Sequence, residues 1–135
     1  MAAGGLFAEN PGGRLARVKP VQIETHTEGP VLVVKLLDRA LDAYAAGSFN
    51  DRMAELIQEG HDLIVLDMEA VEFLDSAGLG AVISCLKRLG RRGSVALCGC
   101  KAAVLQVLRL ARMDRVLTIA GDAEEAIAAV AGEGG

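Results

Sequence analysis

Tryptophan is absent and the aromatic side chains number four, Phe7, Tyr44, Phe49 and Phe73. A groove that stacks the bases of a single-stranded nucleic acid needs more flat π-faces than these. A net charge of −4 also argues against a phosphate backbone as partner. Histidine is scarce: His26 and His61 lie in no recognisable hydrolase pattern, which leaves a nucleophilic serine without its base. Three cysteines, Cys85, Cys98 and Cys100, leave an odd thiol in any pairing scheme and fit a reducing compartment. Cys98-Gly99-Cys100 lacks the ligand number and spacing of a zinc site, so these thiols read as buried strand-end groups. No apolar run approaches the length of a bilayer span, and the first residues lack a basic stretch followed by an apolar one. The expectation is a cytoplasmic protein with no membrane span, no direct nucleic-acid contact, no metal and no cofactor.

The 135 residues are 52% hydrophobic and 24% charged, the balance of one globular domain that folds unaided. Residues 1–20 carry Gly4, Gly5, Pro11, Gly12 and Gly13 with the basic Arg14, Arg17 and Lys19, and no sustained periodicity. They are expected to form a flexible tail, and residues 132–135 a flexible end. Between them, 21–131 form a single domain. Val21, Ile23, Thr25 and Thr27 alternate with polar residues up to Gly29-Pro30, the pattern of a half-buried strand closing in a turn. Val31 to Leu37 follows as its hairpin partner.

Phe49, Met53, Leu56 and Ile57 fall at helical spacing between Ser48, an expected N-cap, and Gly60, an expected stop. Leu63-Ile64-Val65-Leu66 is the continuous apolar run of a strand covered on both faces, hence central. A helix from about Ala77 to Leu89 follows, and its basic end, Lys87, Arg88, Arg91 and Arg92, suits the negative pole of a helix dipole. Ser94 to Cys98 reads as a strand, Val104 to Ala111 as a helix, Val116 to Ile119 as a strand, and Ala123 to Val130 as a helix capped by Asp122. This order predicts an α/β fold: a mixed β-sheet with an N-terminal hairpin, parallel crossover units and helices mainly on one face.

Local preference and expected structure disagree at Phe73-Leu74-Asp75-Ser76-Ala77-Gly78-Leu79-Gly80. Two glycines sit in what should be the first turns of a helix, where each costs about 1 kcal/mol relative to alanine. Taken alone, Asp75 or Ser76 is explained as an N-cap. The glycines add a functional reading: Gly78 and Gly80 clear space around the Ser76 hydroxyl so that another protein can approach, with Leu79 as an apolar contact. Gly78-Leu79-Gly80 lacks the lysine and hydroxyl residue that complete a phosphate-binding loop. The carboxylates Asp67, Glu69, Glu72 and Asp75 have no spacing that specifies convergence and read as solvated loop charges. Asp42 reads alone as a turn or cap residue.

Ala40-Leu41-Asp42-Ala43-Tyr44-Ala45, Leu63-Ile64-Val65-Leu66-Asp67-Met68 and Val71 to Gly80 together resemble the anti-sigma factor antagonists, small bacterial members of the STAS domain family. The resemblance spans roughly residues 21–131, and the segment ending at Gly80 is its most specific part. It implies a STAS-like single domain and a non-enzymatic protein in transcription regulation by partner switching. It also implies an anti-sigma factor serine kinase as partner, which supplies ATP and Mg binding, phosphorylates Ser76, and holds a sigma factor until displaced. A serine phosphatase restores the binding form. Partner contacts carried over are Asp42, Asp75, Ser76, Ala77, Gly78, Leu79 and Gly80. Ala77 stands where many relatives have a second hydroxyl, and Ala45-Ala46 where many have Thr-Ala. The alternative implied by the same family is a scaffold or transporter-associated STAS module with no phosphorylation cycle.

Overall fold

The computed structural model describes residues 7–9, 15–17 and 19–134. Most of the segment expected to be a tail therefore lies outside the described residues, apart from a short antiparallel ladder of β1 (Phe7–Glu9) and β2 (Leu15–Arg17). The main sheet has five strands in the order β3-β4-β6-β8-β9. Strand β3 (Ile23–Glu28) pairs antiparallel with β4 (Val31–Leu36), so the opening hairpin is present in the expected place. Strands β4, β6 (Leu63–Asp67), β8 (Ser94–Cys98) and β9 (Thr118–Ala120) are all parallel. The run Leu63-Ile64-Val65-Leu66 is buried in mid-sheet, flanked by β4 and β8, as a strand covered on both faces must be.

Helices α1 (Ala46–Gln58), α2 (Ser76–Leu89) and α3 (Ala102–Leu110) cover one face. Their apolar sides meet Leu32, Val34, Leu36, Ile64, Leu66, Val95 and Leu97. Helix α4 (Ala123–Gly134) packs Ala126 and Val130 on the alternate residues Val31, Val33, Val65 and Ala96. The split follows from the pleat, which sends successive strand residues to opposite faces. Helices thus lie mainly on one face, with one on the other.

Four expectations are corrected. The first strand is not half-buried: residues 24–28 are exposed, because β3 is an edge strand and only Val21 and Ile23 reach the core. Ser48 is not the cap of α1. The helix begins two residues earlier, where the Asp42 carbonyl accepts from Ala45 and Ala46 N–H at 3.1 and 2.8 Å, and Ser48 Oγ accepts from Val21 N–H at 2.8 Å. The last strand starts at Thr118 rather than Val116, after a short 3₁₀ turn at Met113–Arg115 entered through Arg112 at φ 60°. Helix α4 continues past Val130 to Gly134, with Ala131 still packed against the core. Two end signals hold. Gly60, at φ 111°, closes α1, with Gly60 N–H to Ile57 and His61 N–H to Leu56 at 3.0 and 3.2 Å. Asp122 caps α4 through Glu125 N–H at 2.9 Å.

Candidate functional site

Two residues of chain, β5 (Ala40–Leu41), pair in parallel with two others, β7 (Phe73–Leu74), as a separate small ladder. Ala40 lies opposite Phe73 and Leu41 opposite Leu74, which brings the turn at Asp42 beside the start of α2. This pairing gathers the expected site residues from two distant stretches of sequence.

Asp75 is the N-cap of α2, with an extended backbone and one carboxylate oxygen accepting from Gly78 N–H at 2.9 Å. Its other oxygen accepts from Ala43 N–H at 3.1 Å. Asp75 therefore joins the helix start to the Asp42 turn, a structural task that the sequence reading assigned only in part. Asp42 is likewise committed: its Oδ1 accepts from Tyr44 and Ala45 N–H at 3.1 and 3.2 Å. Lys19 N–H donates to the Tyr44 carbonyl at 2.9 Å, tying the beginning of the domain to the same turn.

Ser76 is the first residue of α2 and is exposed. Ala77 and Leu79 are partly buried, with their apolar atoms against the core, and Gly80 is exposed with open space where a side chain would stand. The role expected of Gly78 is corrected. It is buried, and a Cβ there would run into the Leu41 carbonyl and the Leu74 side chain. Its missing side chain lets the helix sit on the chain behind it rather than letting a partner approach from outside. Gly80 alone of the pair leaves the surface open.

Two further residues belong to this surface and sequence reasoning missed them. Phe73 is 54% exposed and Tyr44 56%, in the two segments that meet at the helix start. Phe73 precedes buried Leu74 in a two-residue strand, too short for an alternation to be read. The outward aromatic at Tyr44 follows from the Asp42 turn, which periodicity does not describe.

The neighbouring carboxylates do not form one cluster. Glu72 meets Arg39 at 3.7 Å and Lys101 at 3.6 Å, and Asp67 Oδ1 accepts from Glu69 N–H at 3.0 Å. Among the described residues, no three His, Cys, Asp or Glu side chains are grouped to hold a metal. Cys98 is buried at the end of β8, and burial together with the charges of Asp67, Cys100, Asp122 and Glu69 pushes its thiol up to about 12. Cys100 rises to about 11 through burial and Asp67. Cys85, in α2, rises to about 11 through burial, partly opposed by Arg88. None of the three is a reactive thiolate at neutral pH.

The STAS domain profile matches residues 22–126, and the chain belongs to that family. Within it, the chain is similar to the anti-sigma F factor antagonist of Paenibacillus polymyxa, 29% identical over 101 residues that make up 73% of this chain and 86% of the relative. Among solved structures, an anti-sigma factor antagonist from Mycobacterium paratuberculosis superposes with a TM-score of 0.75 at 21% identity, over 82% of this chain and 93% of that one. The Bacillus cell fate determinant SpoIIAA in its phosphorylated form superposes with a TM-score of 0.61 at 24% identity, over 82% and 98% of the two chains. At these identities the structural likeness carries the fold. Among the described residues, no helix is long and apolar enough to cross a membrane.

Proposed function

We propose that the protein is an anti-sigma factor antagonist, a cytoplasmic binding protein rather than an enzyme, switched off by phosphorylation of Ser76. The observation that carries this reading is an exposed serine at the first position of α2, beside a cap residue whose two carboxylate oxygens are both occupied by backbone amides. The hydroxyl is open to a partner's active site, and both Asp75 oxygens are taken up by backbone amides. The anti-sigma factor kinase brings the base, Mg and ATP. Its docking surface is Ser76, Ala77, Leu79 and Gly80, flanked by Tyr44 and Phe73, with Asp42 and Asp75 shaping the turn beneath.

Phosphorylation adds about −1.5 to −2 charges at a helix N-terminus, where free amides and the dipole favour an anion, so the fold tolerates it. The partner meets a new charge beside Asp75, and docking weakens. A serine phosphatase then restores the binding form. Incubation with the cognate anti-sigma factor and Mg-ATP, followed by peptide mapping, tests the reading. One phosphate on Ser76 is expected. Phosphate on Ser48, Ser84 or Ser94 with Ser76 unmodified overturns it, and Ser48 Oγ is already engaged by Val21 N–H while Ser94 Oγ is buried.

A further inference from the structure

Strands β4, β6, β8 and β9 run parallel, so α2 and α3 both return toward the ends where these strands begin. Ser76 lies at one end of α2. Its other end is about 20 Å away at 1.5 Å per residue over 14 residues. Lys87, Arg88, Arg91 and Arg92 stand there, all exposed, and none is in an ion pair with a described residue. Arg109, Arg112 and Arg115, likewise exposed and unpaired with described residues, surround the end of α3. These seven are half of the 14 lysines and arginines in a chain whose net charge is −4. Asp114 is the one carboxylate within 87–92 and 109–115, and Asp62 lines one cleft with Arg88 and Arg92, too few to neutralise them.

The same end holds Leu110, 79% exposed, and Val116, 59% exposed. They project from the chain reversal that Arg112 makes at φ 60°. A helix dipole accounts for cations at the last turn of α2, but not for two bare aliphatic side chains framed by three arginines.

We propose that this end of the domain, opposite Ser76, docks on an anionic membrane surface. Six of the seven cations are arginines, whose planar forks match phosphate oxygens. Basic residues at such a surface add attraction that falls off within a Debye length. Protruding leucine and valine enter the interface without needing a complementary pocket. The docking is peripheral and leaves the Ser76 end facing away from the membrane.

Sedimentation of the full chain with vesicles tests it. Binding to vesicles of phosphatidylcholine mixed with phosphatidylglycerol is expected at low salt, with none to phosphatidylcholine alone and loss at about 0.5 M salt. R109E/R115E should weaken it by about tenfold or more, and Leu110→Ser should weaken it without altering the salt dependence. All these positions are exposed, so circular dichroism should be unchanged. Equal binding to both vesicle types, no binding to either, or binding indifferent to charge reversal overturns the proposal. Binding to polyglutamate but not to vesicles also overturns it, in favour of an acidic protein. Ser76 phosphorylation by the cognate kinase should be the same in the variants and separates this test from that of the switch.

Discussion

The carboxylate of Asp75 accepts the amide of Ala43, 32 residues away in the chain, at 3.1 Å, while its second oxygen accepts Gly78 N–H at 2.9 Å. One side chain thus fixes both the start of α2 and its distance from the Asp42 turn. Asp75→Ala should lower stability by about 1–2 kcal/mol, the range for losing a helix cap, with the second bond moving it to the upper part. Asp75→Asn should cost less, because its amide oxygen can still accept one of the two. Urea midpoints at constant slope measure both.

Asp42→Ala should also destabilise, by about 1 kcal/mol, because Oδ1 accepts two backbone amides. The sequence alone reads this residue as a turn or cap. Partner binding must therefore be compared at matched folded concentration, and calorimetry with the cognate anti-sigma factor should still show weaker binding.

Gly78→Ala and Gly80→Ala should change stability in opposite directions. The first drives a methyl into the Leu41 carbonyl and should cost about 1–3 kcal/mol. The second meets open space inside a helix and should add up to about 1 kcal/mol. Thermal unfolding of the two single variants decides it, and a loss of equal size in both refutes the internal role of Gly78.

Stability should decline in alkali. The thiols of Cys85, Cys98 and Cys100 are raised from 9.0 to about 11, 12 and 11 in the folded chain. The unfolded state loses these protons first, so the stabilisation is intact below pH 9 and is lost as pH rises toward 11–12. Denaturant midpoints should fall across that window, and replacing all three cysteines by alanine should flatten the slope. Alkylation of the native protein at pH 8 should be slow at all three.

Most of the main sheet was legible because its signals are strong ones: a continuous apolar run at 63–66, glycines at helix ends and an aspartate before α4. The family resemblance singles out Ser76, Asp75 and Asp42, and the structure brings the three to the start of α2. The short ladder between β5 and β7 was not legible, since two residues carry no period, and neither were exposed Phe73 and Tyr44. Gly78 stands out in the sequence as an unfavourable residue in a helix, but local sequence does not say whether the space it leaves faces solvent or another part of the chain. Ser48 does not cap α1 because a hydroxyl near a helix start serves equally well as an acceptor for a passing chain segment, here Val21 N–H.

The pairing of Leu41 with Leu74 closes a loop of 32 intervening residues with only two residues of ladder on each side. Within that loop lie α1 and β6, so the small ladder repays the closure entropy of a long loop with very few bonds. The surface around Ser76 therefore rests on a long-range pairing held by few bonds. Native-state hydrogen exchange should find the amides of Ala43 and Gly78 opening together, ahead of the amides of β6, with the five-stranded sheet still closed.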